Sequence, residues 1–144
     1  MLKIILNTDG GARGNPGPAG IGAVICDENK KIIATASKYI GENTNNEAEY
    51  QAVLLGLDLI KKNFKVEEIK LAEIELCVDS ELIARQLKGQ YKVKEDRLRV
   101  YHTEIKEILK ADFPNFKITE IRREQNKEAD GLANEAMDRG LSKD

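Results

Sequence analysis

Acidic residues stand at four places in the chain where a carboxylate could hold a metal ion, and two of them end predicted strands. Asp9 follows the apolar run LKIILN and opens the glycine-rich stretch DGGARGNPGPAG, and Asp79 ends the run IELCV. If the two strands are parallel neighbours, roughly 5 Å apart, both carboxylates face the sheet edge where α/β proteins bind ligands. Either residue alone could equally start a turn or cap a helix.

A third acid, Glu49, comes from the clearest predicted helix, over residues 41–63. Steps of four, three and four residues from Glu49 reach positions that share one helix face, Val53, Gly56 and Ile60. Glu47 lies on another side of the helix and forms a T-x-x-E capping box with Thr44. An acid in an apolar stripe is costly unless it is paired or bound to a metal, so Glu49 is assigned to the site.

The fourth acid, Asp130, borders the buried stripe of the last predicted helix, in its first turn. The alternative reading of Asp130 is a favourable charge at a helix N-terminus. Carboxylates gathered in one place repel one another and take up protons unless cations neutralise them. Mg²⁺ suits such a set, because it binds a few carboxylates, waters and phosphate oxygens. Two ions roughly 4 Å apart can activate a water and stabilise a leaving oxygen in phosphoryl displacement.

The elements predicted along the chain arrange these acids. Strands over 2–9, 20–26 and 31–40 form an antiparallel meander, and further strands over 69–79 and 116–122 alternate with helices over 80–89, 95–113 and 126–140, the last capped by Asn126. Right-handed crossovers then place the fourth and fifth strands beside the first. The sequence therefore predicts an α/β fold with a five-stranded mixed sheet in the order 3-2-1-4-5, forming a single domain over 1–140 with a short tail at 141–144.

Composition excludes some classes of function. The chain has 144 residues and no apolar run near the roughly 18 residues of a membrane span, and no secretory signal is visible. Its net charge of -2 argues mildly against a nucleic-acid partner, but bound cations bring their own positive charge. Cys26 and Cys77 lie in apolar runs and are read as small buried hydrophobes, which suits the cytoplasm.

Four segments, TDGGARGNPGPAGIGAVI, TNNEAEYQAVLLGL, VDSELI and NKEADGLA, resemble the type I ribonuclease H family in sequence and order. The resemblance covers nearly the whole chain and implies the ribonuclease H-like fold. It also implies an endonuclease that cleaves the RNA strand of RNA–DNA hybrids with two Mg²⁺ or Mn²⁺ ions, leaving 5′-phosphate and 3′-hydroxyl ends. The family's metal-binding and catalytic acids fall on Asp9, Glu49, Asp79 and Asp130.

The resemblance also implies substrate contacts. Gly10, Gly11 and the loop to Asn15 are expected to contact the RNA backbone, and Asn15, Asn45 and Asn46 the minor groove. Backbone groups and short amides suit the reading of a 2′-hydroxyl in that wide, shallow groove. Turn and capping roles are the alternative for the asparagines.

Two departures from the family pattern matter. Many members carry a histidine before the last acid, whereas this loop reads IRREQNKEAD, and the only histidine, His102, lies in a long predicted helix. Arg123 is the nearest replacement by position and could hold a phosphate but not shuttle protons near neutral pH; Glu124 is a weaker candidate. The chain also has no tryptophan-bearing basic protrusion, like compact archaeal and some bacterial members, and offers instead a few cations, Lys88, Lys92, Lys94, Arg97 and Arg99.

These features predict modest, salt-sensitive affinity for an RNA–DNA hybrid, although the same cations could form a solvated helix face. Double-stranded RNA stays open as a further substrate, and we expect a monomer without a protein partner. A 3′-to-5′ exonuclease would typically show Asp-x-Glu where Gly10 and Gly11 follow Asp9. A non-catalytic module that binds hybrid or double-stranded RNA would be expected to lack one of the four acids, and none is lacking.

Overall fold

The computed structural model describes residues 2–141, and its strands form one mixed sheet in the order β3-β2-β1-β4-β5. Along the chain the elements are β1 (Lys3–Ala12), β2 (Gly17–Cys26), β3 (Ile32–Asn43), α1 (Asn45–Asn63), α2 (Val66–Leu71), β4 (Glu73–Val78), α3 (Glu81–Leu87), α4 (Asp96–Asp112), β5 (Phe116–Glu120), a 3₁₀ turn (Arg123–Gln125) and α5 (Lys127–Leu141). The first three strands pair antiparallel, and β4 and β5 pair parallel beside β1. The predicted strand order and fold class are confirmed.

Helices cover both faces of the sheet. Successive residues of a strand point to opposite faces of the sheet. Gly10 of β1 lies against α1 on one face. Gly22 of β2, which pairs with the preceding residue Asp9, lies against α5 on the other face. The larger hydrophobic core lies between α1 and the sheet and continues to α3 and α4, with Tyr50 and Phe113 among its largest fully buried side chains.

Glycines let both helices approach the sheet closely near Asp9. A Cβ atom on Gly10 would lie 2.4 Å from the carbonyl oxygen of Ala48 in α1, and a Cβ atom on Gly22 would lie 2.5 Å from the carbonyl oxygen of Ala129 in α5. Neither distance is possible for a real side chain. The absence of a side chain at these two positions therefore brings the residues after Ala48 and Ala129, which are Glu49 and Asp130, to the sheet.

Several predicted boundaries were wrong. The first strand does not end at Asp9, because Gly10 and Gly11 continue the ladder by pairing with Ile21 and Gly20 of β2. Helix α2 was not predicted, and the strand expected over 69–79 begins only at Glu73. Helix α5 continues through Leu141, the first residue of the predicted tail, and 142–144 lie outside the described residues.

The described residues include no helix long and apolar enough to cross a membrane. Cys26 and Cys77 are both free thiols, the first half-buried and the second buried.

Candidate active site

Three carboxyl groups converge where β1 and β4 diverge. One oxygen each from Asp9, Glu49 and Asp79 can be chosen so that all three lie within 4.8 Å of one another. Asp9 belongs to β1 and Asp79 directly follows β4, two residues beyond the parallel pair of Asn7 and Cys77. The sheet register thus brings together acids that lie 70 residues apart in the sequence.

Glu49 lies in the N-terminal part of α1 and joins this cluster from that helix. The Gly10 amide donates a hydrogen bond of 2.9 Å to Glu49 Oε1, which fixes the carboxylate against β1. Glu47 instead completes the predicted capping box, because its backbone amide donates to Thr44 Oγ1 and its side chain accepts from the Thr44 amide. The two glutamates therefore occupy the separate positions that helical periodicity predicted.

Asp130 borders the cluster from the first turn of α5. Its side chain is within hydrogen-bonding reach of Asp9, and this contact raises the pKa of Asp9. Asp130 is half-buried, and its carboxylate is not among the three that lie within 4.8 Å of one another. The structure thus places all four sequence-predicted acids in one region, with Asp130 at its edge.

Burial dominates the electrostatics of the cluster. Desolvation, followed by the negative charge of Glu49, raises the pKa of Asp9 to about 9. Desolvation also raises the pKa of Glu49 to about 7, although hydrogen bonds to Asp9 and Gly10 and the charge of Arg123 oppose that rise. In the metal-free protein at neutral pH, Asp9 therefore keeps its proton and shares it with Glu49.

This donor set fits a hard divalent cation. Carboxylate oxygens are the ligands that Mg²⁺ and Mn²⁺ prefer, and here three of them are partly removed from water and lie close enough to share one ion. A bound cation would supply the positive charge that the cluster lacks and displace the proton from Asp9. Asp9, Glu49 and Asp79 are thus the residues that could hold a metal.

Asn126 is a further residue of the site, which sequence reasoning identified only as a helix cap. It is 1% exposed and donates from Nδ2 to the Thr8 carbonyl oxygen at 2.9 Å and to Asp79 Oδ2 at 3.0 Å. An asparagine before a helix is typical of a cap, so the residue type and position alone did not indicate a contact with Asp79.

With this geometry established, comparison with known proteins identifies the family. Residues 7–136 match the family model described as "Reverse transcriptase-like". LC11-RNase H1, isolated from compost by a metagenomic approach and solved in complex with an RNA/DNA hybrid, is 48% identical; the match covers 96% of this chain and 99% of that one with a TM-score of 0.92. The chain belongs to the type I ribonuclease H family.

Two curated relatives show the same ribonuclease H similarity over part of their own length. Ribonuclease HI of Halobacterium salinarum is 38% identical over 130 residues, 90% of this chain and 62% of the relative. A bifunctional protein of Mycobacterium tuberculosis is 38% identical over 141 residues, 95% of this chain and 36% of that protein. The chain therefore spans about a third of the mycobacterial protein and less than two thirds of the halobacterial one.

The asparagines that the ribonuclease H resemblance assigns to substrate stand around the N-terminus of α1. The Asn45 amide donates to Asn15 Oδ1 at 3.0 Å, and Asn45 Oδ1 accepts from the Ala12 amide at 2.9 Å. Asn46 lines a separate cavity of about 490 Å³ with Gln86, Lys92 and others. Asn15 and Asn45 therefore join the β1–β2 turn to the helix, and Asn46 lies towards the cationic segment after α3.

Arg123 lies near two of the ribonuclease H acids, Asp79 and Glu49. It lines a cleft of about 910 Å³ together with Asp79, Arg122 and Glu124, and its charge reaches Glu49. His102 is placed elsewhere: its Nε2 lies 2.9 Å from the Gln86 carbonyl oxygen, and its ring meets Tyr50 edge to face with centroids 6.3 Å apart. Of the residues considered in place of the missing histidine, Arg123 and Glu124 thus line the cleft that contains Asp79, whereas His102 does not.

Proposed function

We propose that this chain is an endoribonuclease that hydrolyses the RNA strand of RNA–DNA hybrids. The observation that carries the proposal is the convergence of Asp9, Glu49 and Asp79 at the diverging ends of β1 and β4, with Asp130 at the border. Support for the substrate comes from LC11-RNase H1, a relative that spans the same length and was solved with a bound hybrid.

The four acids hold two Mg²⁺ or Mn²⁺ ions in this proposal. When bound, such ions would supply the charge that activates a water and stabilises the leaving oxygen, and the products would carry 5′-phosphate and 3′-hydroxyl ends. The protein's contribution is to place Asp9 on β1, Asp79 directly after the neighbouring parallel strand β4, and Glu49 against the Gly10 amide. Burial keeps a proton on Asp9 until a cation binds, so metal binding releases that proton and strengthens as pH rises.

Substrate contacts surround the acids. Gly11, Asn15 and Asn45 lie where the β1–β2 turn meets α1. The amide of Gly10 already donates to Glu49, so Gly10 contributes by leaving room beside the strand. Asn46 extends this surface towards the cavity with Lys92.

Arg123 takes the phosphate-holding position in this proposal, because it lines the cleft beside Asp79. A guanidinium group offers several donors to phosphate oxygens but no proton near neutral pH. This arrangement favours phosphate binding over proton transfer at that position. We also propose that the chain acts as a monomer in the cytoplasm, where its two free thiols would stay reduced.

The test is cleavage of end-labelled RNA–DNA hybrid, double-stranded RNA and double-stranded DNA by wild type and Asp9→Asn, with Mg²⁺, Mn²⁺ or EDTA. Asp58→Asn serves as the matched control, because Asp58 lies on the surface of α1 and pairs with Lys62. We expect metal-dependent internal cuts in the hybrid RNA with wild type and Asp58→Asn, and none with Asp9→Asn. Ligation of the products tests for the 5′-phosphate ends.

Binding of hybrid without cleavage under either metal would overturn the enzymatic proposal and leave a hybrid-binding module. Equal cleavage of double-stranded RNA would broaden the substrate class without changing the assignment of the acids. Cleavage by Asp9→Asn at the wild-type rate would show that the converging acids do not carry the reaction.

A further inference from the structure

Asn126 occupies the gap that opens between β1 and β4. The parallel ladder of these strands runs as far as the pair Asn7 and Cys77. Beyond that pair, the Asn126 amide lies between the strands and donates to the Thr8 carbonyl oxygen on one side and to the Asp79 carboxylate on the other. The side chain thus continues the hydrogen bonding between the strands at the point where the acids begin.

The surroundings dictate which way the Asn126 amide points. Two acceptors, Thr8 O and Asp79 Oδ2, lie 2.9 and 3.0 Å from Asn126 Nδ2. Asn126 Oδ1 accepts a longer hydrogen bond of 3.4 Å from the side-chain Nδ2 of Asn7. If the Asn126 amide were flipped, its oxygen would face these two acceptor oxygens without a proton between them. Both protons of Nδ2 are therefore used, one for each strand.

The backbone of Asn126 reaches the fourth acid. The Asn126 carbonyl oxygen accepts a 3.0 Å hydrogen bond from the backbone amide of Asp130, and this bond closes the first turn of α5. One buried residue therefore contacts the residue before Asp9, the side chain of Asp79 and the backbone of Asp130. Glu49 is held from the other direction, by the hydrogen bond that the Gly10 amide donates to its Oε1.

We propose that Asn126 is a positioning residue that orients the Asp79 carboxylate for metal binding. An amide N–H cannot bind a cation, but by donating to Oδ2 it fixes the rotation of the carboxyl group and leaves Oδ1 unengaged by Asn126. The consequence for catalysis rests on the proposed function, whereas the consequence for metal binding does not.

The experiment measures Mn²⁺ binding to the intact chain by calorimetry for wild type, Asn126→Ala and the control Asn134→Ala. Asn134 is a matched control because its Nδ2 also donates a 3.0 Å bond within this region, but to the backbone oxygen of Asp130. We expect Asn126→Ala to raise the Mn²⁺ dissociation constant about 10- to 100-fold, while Asn134→Ala leaves it unchanged. A purely structural role would lower the thermal midpoint of Asn126→Ala without changing Mn²⁺ affinity, and that result would overturn the proposal.

A second measurement on the wild type decides the matter if Asn126→Ala fails to fold. In an ¹⁵N-labelled chain titrated with Mg²⁺, the side-chain amide resonances of Asn126 should shift in step with metal binding, because its partner Asp79 changes its environment. The resonances of the Asn134 side chain should move much less. An Asn126 side chain that does not respond to saturating Mg²⁺ would overturn the proposal.

Hybrid cleavage by the wild type separates the two proposals. If the wild type binds Mn²⁺ but does not cut hybrid, the proposed function fails while the Asn126 effect on metal affinity still stands or falls by calorimetry. If the wild type cuts hybrid and Asn126→Ala binds Mn²⁺ and cuts as well as wild type, only the positioning role fails.

Discussion

Replacing Asp9 by Asn should stabilise the metal-free protein, and more so as the pH rises. Burial and the neighbouring acids raise the pKa of Asp9 from an ordinary value of 3.8 to about 9. A carboxyl group that binds its proton more tightly in the folded than in the unfolded state lowers the free energy of unfolding as pH rises between the two pKa values. The Asn side chain has nearly the same shape and carries no charge, so it escapes this cost.

The magnitude follows from one proton. Between pH 5 and pH 7 both conditions lie inside the window from 3.8 to 9, and one proton held only by the folded state changes the free energy of unfolding by about 1.4 kcal/mol per pH unit. The advantage of Asp9→Asn over wild type should therefore grow by about 2.7 kcal/mol across these two units. For a chain of this size that corresponds to roughly 5–10 °C in thermal midpoint.

The assay is urea denaturation of wild type, Asp9→Asn and the surface control Asp58→Asn in EDTA at pH 5 and pH 7. Asp58→Asn should stay within about 0.5 kcal/mol of wild type at both pH values. Saturating Mg²⁺ should then stabilise wild type more than Asp9→Asn, because a ligand that binds only the folded state adds to its stability. An Asp9→Asn advantage that is the same at pH 5 and pH 7 would refute the raised pKa and the shared proton.

Other predictions concern the packing and contacts around the site. Gly22→Ala should destabilise the protein by about 1–3 kcal/mol, because its Cβ would lie 2.5 Å from a backbone oxygen of α5; Gly131→Ala, with no atom within 4 Å of its Cβ, should stabilise it by about 0.5–1 kcal/mol, both measured by urea denaturation. Tyr50→Phe should cost about 1–3 kcal/mol, since the Tyr50 hydroxyl donates a 2.5 Å bond to the buried Gln86 Oε1, and the thermal midpoint in EDTA measures this loss. Asn45→Ala should raise the KM for hybrid more than it lowers kcat in steady-state cleavage, because it loses the bond to Ala12; an unchanged KM would remove Asn45 from the substrate surface.

Periodicity and strand order carried the sequence prediction furthest. The spacing of Val53, Gly56 and Ile60 distinguished Glu49 from Glu47, and the alternation of strands and helices placed Asp9 beside Asp79. These signals work because burial against a core imposes a periodic apolar pattern on each helix and strand. The connections between parallel strands are in addition right-handed, which limits the possible strand orders. The order of the sheet followed from them before any contact was known.

Local signals failed where tertiary pairing overrides residue type. Gly10 and Gly11 suggested a loop, yet they lie in β1 because β2 supplies partners and α1 needs the space that a side chain would occupy. Helix α2 is only six residues long, too short for its period to stand out from the following strand. Asn126 looked like a cap, and its contact with Asp79 depends on the gap between two strands that no spacing encodes.

The distances in sequence between the acids have a consequence for motion. Asp9, Glu49, Asp79 and Asp130 belong to β1, α1, the end of β4 and α5, so a ligand that binds all four crosslinks elements from most of the chain. Opening any one of these elements would break the site, and a bound cation therefore opposes each of those local openings as well as global unfolding. When metal binds, amide hydrogen exchange should accordingly slow in β1, β4, α1 and α5 together. Helix α2 supplies no acid, so its exchange rates should stay the same unless it opens only with the whole fold.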